Sequence, residues 1–228
     1  GQALEKILKQ IRIGKITRKS YDVIQERLEL TKKNNKEIIT KMNIKPVILY
    51  PKRNMVDLVN KTEFDKLTGN IYKFCYNVKI MKNDKGNNYE NYIQMISKEQ
   101  IEYEVDYLCN NIIREIDLKV GCQVMCTVNM DMEHEKPICN GSQGHIISFQ
   151  DGYSFVQFNN GRRILVNKYP YTSEKYPFLL SKQVPLMLSW AITIHKCQGM
   201  TLDKAIINIG CDIFECGQTY VALSRLQS

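Results

Sequence analysis

Three turn dipeptides, Asn140-Gly141, Asp151-Gly152 and Asn160-Gly161, punctuate one stretch of the 228-residue chain. Each pairs residues that adopt positive φ at little cost, which is the requirement of a tight hairpin. Between and after them lie the short β-branched and aromatic runs "HIISFQ", "YSFVQF" and "RILV". Runs of this kind closed by such turns predict a small antiparallel β-barrel. The apolar run "VGCQVMCTVN" just before them reads as a further strand.

This β-rich stretch interrupts a different texture. Apolar residues Leu4, Ile7, Leu8 and Ile11, then Val23, Ile24 and Leu28, recur at helical spacing and predict two helices joined by a turn. "KKNNKE" follows as a polar loop, then "PVILYP", a buried strand bounded by prolines. Met55, Val56, Val59, Phe64 and Leu67 place a helix directly after it, and a strand feeding a helix is the α/β unit. Residues 83–91 ("NDKGNNYEN") predict a mobile loop, and α/β texture returns beyond Pro185 through "IINIG". The fold class expected is α/β, a parallel sheet interrupted by a small β-barrel.

Composition narrows the function classes. A 43% hydrophobic content supplies a core and excludes wholesale disorder. The formal charge of +8 favours acidic partners, nucleic acid among them, although a solvated face equally explains the basic run at residues 9–19. Eight cysteines without a CxxC pair argue against a disulfide scaffold and suit a reducing compartment. Cys122, Cys126, His134 and Cys139 could form a metal set, but buried thiols in a strand are the simpler reading, and no metal site is assigned. No apolar run reaches transmembrane length, so the expectation is an intracellular protein with no membrane partner.

The chemistry concentrates near the C-terminus, in "SWAITIHKCQGMTLDKAIINIG" and "YVALSR". A nucleoside triphosphate needs cations aimed at its γ-phosphate as the bond breaks, and an arginine from a neighbouring domain does this bidentately. Arg225, at the end of a predicted helix, suits that role; helix capping is the competing explanation. Gly199 permits close backbone approach to a phosphate and Gln198 offers a relaying amide, though a plain turn explains both. Thr193, His195 and Lys196 carry groups that can donate to phosphate oxygens. His195 reads equally as a core histidine, and Trp190 as packing.

These two stretches resemble motifs V and VI of superfamily 1 helicases of the Pif1/RecD type. Residues 3–28 look like the link between the two RecA-like domains of that family, and "ILYPKRNMVDLVNKTEFDKL" looks like its motif IV. "LKVGCQVMCTVN" and "CNGSQGHIISF" look like the entry to its inserted SH3-like 2B subdomain, while residues 75–115 match poorly and Cys197 stands where serine is usual. The resemblance implies a RecA-like sheet domain 2A over residues 43–135 and 181–228. It implies an SH3-like 2B insert over 136–180 and a helical link over 1–42.

It further implies that Arg225 senses ATP, that Gln198, Gly199 and Arg53 are nucleotide-facing, and that Thr193, His195 and Lys196 face DNA. In the insert, Arg162, Arg163 and Lys168 lie beside Tyr153, Phe155 and Phe158; the charges are candidate strand contacts and the aromatics candidate core. No GxxxxGK[ST] occurs, and "GKITRKS" lacks the spacing. The chain starts at Gly1 and stops three residues after Arg225, so the expectation is the C-terminal half of an ATP-dependent DNA helicase. That half would be inactive alone, with ATP and Mg²⁺ held mostly by an absent first domain. Single-stranded DNA and junctions are the implied partners, travel is 5′ to 3′ and roles lie in replication, recombination or repair; the oligomeric state is not legible in the sequence, a monomer being the default expectation. The alternative is a non-catalytic nucleic-acid-binding module of a degenerate helicase.

Overall fold

Alternation at Val47–Tyr50 (β1) buries Val47 and Leu49 completely, and this strand centres a three-stranded parallel sheet. Its neighbours are Ala191–Thr193 (β14) and Ala205–Ile207 (β15). In the computed structural model, residues 2–34, 45–84, 87–110, 112–202, 204–208, 213 and 217–226 are described. Helix Arg53–Asp65 (α3) follows β1, as the apolar spacing predicts, and packs on β1 and β14. Among the described residues β14 has no sheet neighbour on its outer side; Asn60 of α3 serves instead, its amide donating to the Ala191 carbonyl and accepting the Ala191 N–H, both at 2.9 Å. Lys119 lies over the Phe64 ring and donates to the carbonyls of Phe64 (3.3 Å) and Leu67 (2.9 Å), placing a cation at the end of α3.

The two N-terminal helices are Gln2–Arg12 (α1) and Arg18–Asn34 (α2), so α2 takes in the first residues of the polar run. The remainder of that run, residues 35–37, lies outside the described residues, as do Ile209 and Gly210 of "IINIG". Short strands Tyr72–Cys75 (β2), Asn77–Ile80 (β3), Asn83–Asp84 (β4) and Asn87–Asn88 (β5) precede two helices, Glu90–Gln94 (α4) and Lys98–Asn110 (α5). The stretch expected to be a loop, residues 83–91, thus contains a β4–β5 hairpin and the start of α4. Helix α5 packs Ile101 and Val105 on Phe178 and Leu179.

Two of the three turn dipeptides close tight hairpins, whereas Asn140-Gly141 makes a turn, the Ser142 N–H on the Cys139 carbonyl, at the end of a long connection. Strands Gln143–Gln150 (β8) and Tyr153–Phe158 (β9) join through Asp151 and Gly152, with φ of 49° and 79°, the double positive φ of a type I′ turn. Arg163–Val166 (β10) pairs with β9 beyond Asn160-Gly161. The sheet does not close into a barrel among the described residues. Its order is β10-β9-β8-β7-β13, where β7 is Gln123–Cys126 and β13 is Leu186–Leu188, with β10 and β13 as open edges. A separate sheet joins Tyr169–Thr172 (β11), Leu179–Gln183 (β12) and β3, while Glu115–Leu118 (β6) pairs with β2. The antiparallel sheet therefore reaches beyond both ends of the 136–180 segment.

Strand β7 explains how the two textures share one body. Cys122, Val124 and Cys126 enter the core of the antiparallel sheet, with Phe64, Trp190 and Phe158. Met125 points the other way into the core under the parallel sheet, with Leu49, Ile192, Met200 and Ala222. Burial on both faces is why this strand reads as an unbroken apolar run. Buried Gln123 locks the joint: its amide accepts the Lys45 N–H at 2.9 Å and donates to the carbonyls of Lys45 (2.8 Å) and Ser189 (3.0 Å). Trp190 belongs to this core, as expected. Among the described residues, no helix is long and apolar enough to cross a membrane.

Candidate functional site

The loop after β14 is built by its own short-range bonds. The Ile194 N–H donates to the Tyr50 carbonyl at 3.0 Å, carrying strand pairing one residue further. The Thr193 hydroxyl then accepts the Lys196 N–H at 3.2 Å, and the Thr193 carbonyl accepts the Cys197 N–H at 3.3 Å. A tight coil results, with Ile194, Cys197 and Met200 facing inward and His195, Lys196, Gln198 and Gly199 facing solvent. Cys197 anchors it, its thiol donating to the Ile194 carbonyl at 2.9 Å. Gly199 has φ of 75° and open space where a Cβ would sit, so backbone conformation, not crowding, accounts for the glycine.

Thr193, His195 and Lys196 line a cleft of about 1330 Å³, together with Arg53 from the first turn of α3. Lys52, Asn60, Arg114, Asn140 and Tyr171 contribute to the same lining. Its charged groups are Lys52, Arg53, Arg114 and Lys196 against Asp57 and Glu115, and Glu115 is already bonded to Lys73 at 2.6 Å. Arg53 lies 3.7 Å from Asp57 and is largely exposed. Partial burial, then the charge of Arg53, lowers the pKa of Lys196, with Asp57 opposing. Two cations that raise each other's cost in one cleft are stabilised by an anion between them.

Arg225 sits two residues beyond helix Gln218–Leu223 (α6), its guanidinium donating to the Ser224 hydroxyl at 3.0 and 3.3 Å. Its carbonyl accepts the Leu202 N–H at 2.9 Å, tying the end of the chain to the β14 loop. Burial raises the Cys197 thiol to about 11, against the opposing pull of the Arg225 charge. Two groups result. Arg53, Thr193, His195 and Lys196 share the cleft, whereas Arg225 is joined through its carbonyl to Leu202, further along the same loop. Gln198, Gly199 and Arg225 are not part of the cleft lining.

The basic residues of the antiparallel sheet lie elsewhere. Arg162 bonds the Asp131 carboxylate at 2.9 Å and the Lys136 carbonyl at 3.2 Å, with little of its side chain exposed. Arg163 donates to Gln157 at 3.2 Å and Lys168 to the Cys75 carbonyl at 3.3 Å. None of the three lines the cleft. Phe158 is core as expected, whereas Tyr153 is exposed. Cys122, Cys126, His134 and Cys139 form no metal cluster: among the described residues, no group of three or more His, Cys, Asp or Glu could hold an ion.

Sequence reasoning missed Lys52, Asn60, Arg114, Asn140 and Tyr171. Lys52 adjoins Arg53 in "PKRN" and was within reach. Arg114 carries no local signal; the buried Gln183 amide, donating to the carbonyls of Ile113 (2.8 Å) and Arg114 (3.2 Å), holds its segment in place.

A parallel sheet whose strand-end loop meets a cationic cleft defines an α/β protein. No family model matches the chain. It is 32% identical over 184 residues to the ATP-dependent DNA helicase Pif1 of Campylobacter jejuni, covering 75% of this chain and 37% of that protein. Over 232 residues it is 27% identical to the human ATP-dependent DNA helicase PIF1, covering 100% of this chain and 32% of that one. Bacteroides Pif1 bound to single-stranded DNA superposes with a TM-score of 0.52 at 26% identity, covering 100% of this chain and 47% of that one. The chain belongs to the Pif1-like helicases of superfamily 1B. It spans between 19% and 37% of the length of these curated relatives and of the zebrafish one.

Proposed function

We propose that the chain is the C-terminal motor portion of an ATP-dependent DNA helicase that moves along single-stranded DNA and opens duplexes at junctions. The observation that carries this is one loop, residues 193–202, serving two places: Thr193, His195 and Lys196 line the cationic cleft, and Leu202 is bonded to Arg225. Strand phosphates in the cleft would be held by Lys196, His195 and Thr193 with Arg114 and Lys52. Arg225, with Gln198 and Gly199, would face the γ-phosphate of a nucleotide held against this chain; Arg53, largely exposed in the cleft that it shares with Lys196, would be the second nucleotide-facing cation. Arg162, Arg163 and Lys168 would give only peripheral strand contacts, since each is already bonded within the chain.

In this reading β1, β14, β15, α3 and α6 form the RecA-like 2A domain, over residues 43–135 and 181–228. The SH3-like 2B insert, residues 136–180, then grows from it through the shared strands β7 and β13, and α1 and α2 form the helical link. A Pif1 helicase from Bacteroides, similar in fold to this chain, has been crystallised in complex with ADP-AlF4. That supports ATP as the nucleotide. The nucleotide-facing residues here are cations and an amide with no carboxylate, so Mg²⁺ does not fit this side of the site, and its ligands would lie on the partner domain. Polarity would be 5′ to 3′, and alone the chain would not turn over ATP.

Salt dependence of binding tests the cleft. For the whole protein, log affinity for a single-stranded oligonucleotide should fall linearly with log salt. Lys196→Ala and Arg114→Ala should each flatten that slope by about 0.7. Unchanged slopes in both variants would remove the strand from this cleft.

A further inference from the structure

The cations of the cleft account for phosphates but not for bases. One phenol ring is part of the lining, that of Tyr171 on β11. Its hydroxyl lies 3.5 Å from the Thr127 hydroxyl. Tyr169, two residues earlier on the same face of the strand, meets it edge-on, with ring centroids 5.2 Å apart and planes at 67°. The pairing of β11 with β12, Tyr171 opposite Ser181 and Tyr169 opposite Gln183, fixes both rings on an ordered strand. Burial raises the pKa of the Tyr171 hydroxyl, so the ring stays neutral beside a polyanion. Every nucleobase has a π-face, and a neutral, partly exposed ring on an ordered strand, in the same cleft as Lys52, Arg53, Arg114 and Lys196, is an arrangement that stacks a base without reading its identity.

We propose that Tyr171, backed by Tyr169, is a stacking platform for one base of the strand held in the cleft. This rests on the strand-binding reading above and adds the chemical group that meets a base. The Thr127 hydroxyl positions the ring rather than the strand.

The test is equilibrium binding of the whole protein to a fluorescent oligothymidine at fixed salt, against a series carrying a single abasic residue moved along the oligonucleotide. Wild type should lose about tenfold in affinity when the abasic residue reaches the stacked position. Tyr171→Ala should lose about tenfold on the intact strand and nothing further on that abasic strand, while Tyr171→Phe stays within about twofold of wild type. The proposal is overturned if Tyr171→Ala binds the intact strand as wild type does, or if Tyr171→Phe falls as far as alanine, which would assign the effect to the hydroxyl. Should Tyr171→Ala not fold, the abasic series on wild type decides alone: a flat profile overturns the platform. Absence of any binding by wild type is a different failure, that of the strand-binding reading itself.

Discussion

Cys197 shows how a small buried side chain serves a site that it never touches. Its thiol closes the loop onto the Ile194 carbonyl and leaves His195, Lys196 and Gln198 facing outward. Burial raises it, like Cys122 and Cys126, from 9.0 to about 11. The sign of the linkage follows. Between those two values the unfolded chain gives up thiol protons that the native state keeps, so stability is fully present below about pH 9 and declines as pH rises towards 11. Each thiol contributes on the order of 2 kcal/mol to that loss. Urea melts at pH 8 and pH 10.5 should show it. A Cys197→Ser variant should show a shallower decline; an identical decline would mean that Cys197 ionises freely in the folded protein. Native-state labelling by a thiol reagent should find exposed Cys75 before any of the buried three.

At the scale of elements, turn chemistry was the most readable part of the sequence. Asp151-Gly152 alone determines a hairpin, because few other residue pairs tolerate positive φ twice in succession. The helix after β1 was equally legible from its spacing. Helices α4 and α5 were not, since their register is set by packing on Phe178 and Leu179, far along the chain. Barrel closure was misjudged for a related reason: local turns specify which strands pair in sequence, but not whether the outermost two meet. A Cβ at Gly141 would stand 2.9 Å from Met200 Cβ and 3.1 Å from the Thr201 carbonyl, at φ of 99°. This turn of the antiparallel sheet is thus wedged against the loop that presents Lys196. Gly141→Ala should cost about 2 kcal/mol in thermal or chemical unfolding and weaken strand binding as well. Gly152→Ala, with φ of 79° and open space around it, should cost only about 1 kcal/mol and leave binding unchanged. Equal effects on binding would show that Gly141 does not position the loop.

For the whole molecule, the order of textures was legible and the joints were not. The sequence separates α/β from β-hairpin regions, yet β7 belongs to both cores at once, a fact that only its two-faced burial reveals. The same holds for function. Thr193, His195 and Lys196 stand together in one contiguous motif, so their shared place in the cleft is legible from local spacing. Arg114 and Tyr171 come from distant strands and segments and meet the motif only in the folded chain. The bonded contact between Leu202 and Arg225 makes the loop and the arginine parts of one continuous structure, and under the proposed function that continuity would couple nucleotide and strand. The decisive measurement is ATP hydrolysis stimulated by single-stranded DNA in the whole protein, wild type against Arg225→Ala. The account predicts a fall in turnover of about a thousandfold with strand affinity retained. Equal turnover in the two proteins would contradict it, leaving Arg225 as a structural end to α6.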